Sequence, residues 1–403
     1  MKLRYSLILP VALLSLFSCK TVPEKTSSET AAVSVPQNLQ RHSDADSSSY
    51  ALTLLFGGDI MAHSQNFGMS DFSAIWKDVA PLVRSADFSF ANIEAPVDDE
   101  LPYSAYPNFN MHREYPEAAI NAGFNVFSVV NNHSNDQGYS GMMRTYDWTE
   151  KTGRTYADSP RPVYFSGLHA EKNEPVDYVV INKGHWKIIF CAVTEVLNRN
   201  DYKEYMNYVS PNTKSRRAFE ERIREIKRQN QCDIFILSIH AAVPEYVREV
   251  CPVQRKYYYE LLDSGVDVVW ANHPHVVQER ELIGKKESGS CSKLIMYANG
   301  NTISGQRREP ALDDPSGQRE YTGDGLLYKV TYTKKTGSSS AVIADTETYY
   351  ITTYINTAYQ FVVKFLDDDF TQYLKNAGRS RWASYISERK KIMEKTKETK
   401  TWL

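Results

Sequence analysis

Six short apolar runs, each stopping at a polar residue able to bind a metal or a phosphate, constrain this chain more than any other feature. They occupy 50–56, 86–90, 124–130, 232–239, 266–270 and 294–297. Just beyond them stand Asp59, Glu94, Asn132 with His133, His240, His273 with His275, and Asn299 with Asn301. Near-continuous apolar runs of this length, rich in β-branched residues, are what strands covered on both faces look like. Helical patterns at 71–85, 116–122, 141–151, 213–230 and 252–264 separate several of them, and Gly123 and Gly265 stand where two of those helices would stop. Such alternation argues for an α/β sandwich. Hairpin patterns at 178–193, around Asn182-Lys183-Gly184, and at 326–355, around Thr336-Gly337, make the sheet mixed or divide it in two. Ligands of open α/β sheets bind beyond the carboxyl ends of the strands. Parallel pairing would therefore gather these polar residues at one edge.

Taken singly, each has a duller reading. His240 would be a satisfied core histidine, Asp59 and Asn131-Asn132 turn residues, Glu94 a surface carboxylate. Together, four of the nine histidines and two carboxylates recur at one topological position, which points to a metal or phosphate site. In His273-Pro274-His275, extended backbone would send both imidazoles to one side, and the proline would hold His273 extended. A mixed set of Asp, Glu, Asn and His suits Mn, Fe or Zn and not a thiolate site.

The ends of the chain read differently. Met1-Lys2-Leu3-Arg4 is a positive region, and the apolar run at 7–17 is too short to span a bilayer. It leads into Leu16-Phe17-Ser18-Cys19. This reads as a lipoprotein signal peptide over 1–19, with Cys19 lipidated after cleavage; an ordinary secretory signal with a chance cysteine is the alternative. Residues 20–49, rich in Ser, Thr, Glu and Ala, read as a flexible tether. A folded domain is expected over 50–360 and a C-terminal helical segment over 361–403, interrupted near Gly378. The expected location is exported, lipid-anchored in the bacterial cell envelope. Such a compartment permits disulfides among Cys191, Cys232, Cys251 and Cys291, in a pairing the spacing leaves open. A net charge of -2 gives no basic footprint for nucleic acid. The 27 tyrosines read as half-buried sheet and helix residues, with a wet binding surface as the alternative.

Six motifs occur in order: Gly57-Gly58-Asp59-Ile60-Met61, Ala91-Asn92-Ile93-Glu94-Ala95-Pro96, Asn131-Asn132-His133-Ser134-Asn135-Asp136, His240 followed by Glu245-Tyr246, His273-Pro274-His275-Val276-Val277-Gln278, and Tyr297-Ala298-Asn299-Gly300-Asn301. As a set they resemble, over residues 52–303, the CapA (PgsA) family of bacterial capsule and poly-γ-glutamate synthesis proteins. That family is similar to the calcineurin-like metallophosphoesterases. The resemblance implies a four-layered α/β/β/α sandwich with mixed sheets and one or two divalent metal ions. By the same carry-over Asp59 and His275 would bind a first metal, and Asn132, His240 and His273 a second. Glu94 would stand near the bridging position. His133 would be a general acid oriented by Asp136, and Glu245 and Asn301 would contact substrate. The implied partners are an anionic envelope polymer or its precursor, the membrane, and a polymer-synthesis complex; no nucleic acid is implied. Met61 departs from the pattern, since phosphoesterases carry histidine there. Two functions stay open: a metal-dependent phosphoesterase-like hydrolase, and a non-catalytic polymer-binding or scaffolding protein with a degenerate cleft.

Overall fold

The computed structural model describes residues 49–338 and 340–403. The stretch expected to be a signal peptide, with Cys19, and the expected tether up to residue 48 lie outside them. Among the described residues fifteen strands, numbered along the chain, form two sheets. The first holds β1 (Ser49–Ile60), β2 (Phe88–Ile93), β3 (Val126–Ser128), β4 (Tyr164–Ser166), β11 (Asn301–Ile303), β12 (Asp324–Lys335), β13 (Val342–Ile355) and β14 (Phe361–Phe365). The second holds β5 (Val179–Lys183), β6 (Trp186–Thr194), β7 (Ile234–His240), β8 (Val268–Asn272), β9 (Arg280–Lys285), β10 (Ser290–Met296) and β15 (Glu398–Trp402). The strand orders are β14-β13-β12-β1-β2-β3-β4, with β11 beside β1, and β15-β9-β10-β8-β7-β6-β5. Each sheet is mixed. β1 to β4 run parallel in one, and β6, β7, β8 and β10 run parallel in the other.

The apolar runs are continuous because both faces of each strand are covered. Along β7, Ile234 and Ile236 point to the space between the sheets, while Phe235, Leu237 and Ile239 point outward. The outward set packs on Phe219, Ile223 and Ile226 of helix Thr213–Gln229 and on Tyr257, Tyr258, Leu261 and Leu262 of helix Pro252–Ser264. Between the sheets, Trp270 meets Phe56 and Phe90 at ring-centre distances of 6.1 and 5.9 Å, and its indole N–H donates to the Gly57 carbonyl at 2.8 Å. Helices Glu114–Ala122 and Gly138–Tyr156, with shorter turns at 73–85, add Tyr115, Ala119 and Trp148 to the core of the first sheet. The result is a four-layered α/β/β/α sandwich of two mixed sheets. Both expected hairpins form, β5 with β6 and β12 with β13, turning at Gly184 and Gly337 with φ of 55° and 77°.

The last residues are helical only over Asp368–Asn376 and Ser380–Met393, broken at Gly378. Their flanks are strands: β14 joins the first sheet and β15 lies parallel to β9 in the second. The four described cysteines are free thiols. No helix among the described residues is long and apolar enough to cross a membrane.

Candidate metal centre

The parallel strands of both sheets end at the same side, and their last residues meet there. Register places Asp59 of β1 beside Asn92 of β2, and His240 of β7 beside Asn272 of β8. The pair Gly57-Gly58 has a steric reason. A Cβ on Gly58 would lie 1.9 Å from the Gly300 carbonyl oxygen, so only glycine lets the 299–301 backbone cross the end of β1. That crossing is fixed by Asp59 N–H donating to Gly300 O at 3.0 Å, and it seats Asn301 opposite Asp59.

Two groups of ligand-type atoms result. Glu94, His240 and His273 converge in one, and Asp59, Glu94 and His275 in the other; within each group the atoms lie within 4.8 Å of one another. Glu94 belongs to both. Every member is buried. The Glu94 Oε1 atom has no hydrogen-bond partner, although His240 Nε2 and His275 Nε2 stand 3.5 and 3.6 Å away. His240 Nε2 lies 2.9 Å from Asn132 Oδ1 and 3.1 Å from His273 Nδ1. His275 Nδ1 lies 3.2 Å from Asp59 Oδ2 and 3.1 Å from Asn301 Oδ1. Asn92 donates to Asp59 Oδ1 at 2.8 Å and, at 3.4 Å, to Glu94 Oε2.

The electrostatics follow from burial. Removal from water, reinforced by the Asp59 charge, pushes the Glu94 carboxyl well above the usual range. Burial, then the neighbouring His273 and His275, pushes His240 well down. Burial and His275 take His273 down to about 4. Burial opposes the charged form of His275 too, but its hydrogen bond to Asp59 and the Asp59 charge prevail and raise it. The imidazoles of His240 and His273, pushed down by burial, the His275 ring set against Asp59 and an unpartnered Glu94 oxygen form a donor set that a divalent cation would complete, so the residues present fit a metal of the Mn, Fe or Zn type.

The backbone of His273-Pro274-His275 departs from the extended reading. β8 ends at Asn272, and His273 and His275 take φ of 104° and 58°. Left-handed backbone in non-glycine residues costs of order 1–3 kcal/mol each. The turn is held by Tyr246 N–H donating to Pro274 O at 2.9 Å. Its effect is to separate the two rings: they tilt 52° apart, His273 against His240 and His275 against Asp59. Extended chain would have aimed both the same way.

The family model for the bacterial capsule synthesis protein PGA_cap matches residues 53–306. The chain belongs to the PGA_cap family. Its relatives include the capsule biosynthesis protein CapA of Bacillus anthracis, 23% identical over 263 residues, covering 62% of this chain and 59% of that protein. The PGA biosynthesis protein CapA of Bacillus subtilis (strain 168) is 22% identical over 259 residues, covering 62% and 63%. The match thus spans less than two thirds of either relative. Among solved structures, the calcineurin-like phosphoesterase YfkN from Bacillus subtilis is similar with a TM-score of 0.41 and 10% identity, over 84% of this chain and 100% of that one.

In this PGA_cap chain a cleft of about 390 Å³ opens over the centre, lined by His63, Phe109, His133, Glu245, Tyr246, His275, Arg308 and Arg319 among others. His133 Nδ1 lies 2.7 Å from Asp136 Oδ2, which also accepts from Phe109 N–H at 2.7 Å. Glu245 lines the cleft. Asn301 does not: its amide donates to Gln306 Oε1 and Thr322 O at 2.9 and 2.8 Å, and its Oδ1 faces His275. The side chain expected to contact substrate is instead spent on holding a histidine.

Three residues of the site were given no role by the motif reading. His63, pushed down to about 3 by burial and by His275 and His133, lines the cleft beside Met61 and accepts from Gly305 N–H at 3.1 Å. Asn92, quoted within the second motif but given no role there, sits inside β2. Asn198 follows β6, whose run was taken only as half a hairpin; its amide lies 3.2 Å from His133 Nδ1, and its oxygen accepts from Asn132 Nδ2 at 3.4 Å. The signal for Asn198 was the same as for the others: a polar residue shortly after a buried strand.

Proposed function

We propose that this PGA_cap chain is an exported lipoprotein, anchored through Cys19 in the bacterial cell envelope, that takes part in capsule or poly-γ-glutamate assembly. Its metal-dependent, hydrolase-like site acts on an anionic envelope polymer or its phosphorylated or amide-linked precursor. The observation that carries this reading is Glu94, buried and short of partners, shared by two ligand groups. Asp59, Glu94 and His275 would hold one ion, and Glu94, His240, His273 and Asn132 a second. When bound, such ions supply concentrated positive charge at the reacting centre. The protein's own contribution is proton handling and orientation. With Nδ1 directed at Asp136, His133 keeps Nε2 to hold or deliver a proton to a leaving oxygen or nitrogen in the cleft. Arg308 and Arg319 give the cleft wall a positive side for an anionic chain.

The second reading is a non-catalytic polymer-binding or scaffolding protein. It is favoured by Met61, an apolar buried residue on the cleft wall two positions after Asp59. Elemental mass spectrometry of the purified chain separates the two. The first reading expects about two divalent ions per chain, with loss in His273→Ala while the fold is kept. His133→Ala should retain metal and lose turnover of phosphodiester or amide substrates by roughly 10²–10⁴-fold. A chain that stays metal-free when Mn, Fe and Zn are all supplied would leave the scaffold.

A further inference from the structure

A second cavity, of about 440 Å³, shares no lining residue with the metal cleft. It lies beside β4, the edge strand of the first sheet, under helix Gly138–Tyr156 and the loop before β5. His169 lines it and is 2% exposed, yet neither ring nitrogen has a hydrogen-bond partner. Glu174 Oε2 stands 3.8 Å from His169 Nδ1, beyond hydrogen-bond reach. The backbone at this point is held by His169 N–H donating to Tyr205 O at 2.8 Å, while both polar atoms of the ring are left without a partner.

The surroundings specify the charge of that partner. Glu150, Glu174 and Asp177 all line the cavity, against one cation, Arg154, which is already paired with Glu150 at 3.1 Å. Asp177 is set by Asn207, whose amide donates to Asp177 Oδ1 at 2.7 Å and whose Oδ1 accepts from Asp177 N–H at 3.0 Å. An anion would meet a surplus of carboxylates. A bare metal ion would find no convergent triad, because among the described residues such groups are confined to the first site. Tyr146, Tyr164 and Phe165 complete the wall with ring surface, which packs the carbon stem of an organic cation and attracts its charge.

We propose that this cavity binds a primary alkylammonium group, its N–H donors shared between Asp177, Glu174 and an unpartnered ring nitrogen of His169. The site is independent of the metal centre and of its chemistry.

Calorimetric titration of the purified full chain with 1,4-diaminobutane tests it. One saturable site is expected. Asp177→Asn, Glu174→Gln and His169→Phe should each weaken it by about tenfold or more, the size of effect a lost charge-assisted hydrogen bond produces, and His273→Ala should leave it within about twofold. Glu174 is exposed at the rim, so its variant keeps the test valid even where a buried substitution disturbs folding. Tetramethylammonium, which has no N–H donor, should bind more weakly. The proposal is overturned if no saturable binding occurs, if the folded Glu174 and Asp177 variants bind as the parent does, if tetramethylammonium matches the primary amine, or if Mn²⁺ competes for the site.

Discussion

Two buried clusters of charge have opposite characters. In the first, Asp324 accepts from Arg307 Nη1 at 2.9 Å, from Arg389 Nε at 2.7 Å and from Thr352 Oγ at 2.7 Å. The Arg307 guanidinium reaches Glu320 O and Tyr385 OH as well, leaving only Nε without a partner. In the second, Glu94 has one long hydrogen bond and an oxygen with none, and His240 Nδ1 is likewise unpartnered. Both clusters are withdrawn from water. A buried polar group left short costs the full desolvation penalty, so native folds complete nearly all of them. The cluster the protein completes is a brace: it ties the C-terminal helices to the 304–324 segment that carries Arg308 and Arg319 to the cleft. The cluster the protein leaves incomplete is the one whose ligand-type groups could hold a metal.

The sharpest way to break this contrast is at the brace. Asp324→Ala strands two buried guanidinium groups, and removal of one partner from a buried pair typically costs roughly 3–5 kcal/mol. Urea unfolding should show that loss as a fall in midpoint with the slope retained. A stability change below about 1 kcal/mol would mean that the arginines reach other partners, and the brace would lose its meaning.

At the incomplete cluster the expectation reverses. In the presence of a chelator, Glu94→Gln should be about as stable as the parent, because no good hydrogen bond of Glu94 is lost. The parent alone should then gain from added metal. A ligand at 100 times its dissociation constant stabilises by about 2.7 kcal/mol, and that gain should be absent in Glu94→Gln. Thermal melts with and without Mn²⁺ read both effects. If the variant is badly destabilised in chelator, Glu94 is itself structural and the contrast between the clusters fails.

Much of the incomplete cluster was visible in the sequence because it follows local rules. Asp59, Glu94, His240 and the 273–275 pair stand immediately past apolar runs, and the strands in question do run parallel. What was invisible depends on distance along the chain or on backbone that breaks a local rule. Asn301 looked like a free strand-end amide, yet its role is decided by His275 and Thr322. The 273–275 turn could not be read from proline, which favours the extended form the structure rejects. The brace joins residues 17 and 65 positions apart, and Arg307 and Arg389 carry no signal that distinguishes them from surface arginines. β15, Glu-Thr-Lys-Thr-Trp, is too polar to announce a strand; the open edge of β9 makes it one.

The smallest of these effects sharpens the comparison most finely. Thr352→Val removes one donor from Asp324 while both arginines stay, and Arg307 Nη2, which also donates to Thr352 Oγ, keeps its bond to Thr353 O. Each partner of the lost hydroxyl therefore retains another. Two hydrogen bonds lost from a network whose other members stay paired should cost about 1–3 kcal/mol, below the loss expected for Asp324→Ala. Metal content should be unchanged, since no ligand-type residue of the centre touches Thr352. A loss as large as that of Asp324→Ala would show that the brace acts as a cooperative unit, with no donor to spare. A loss of bound metal would show something further: that closing the first cluster is what holds the second one open.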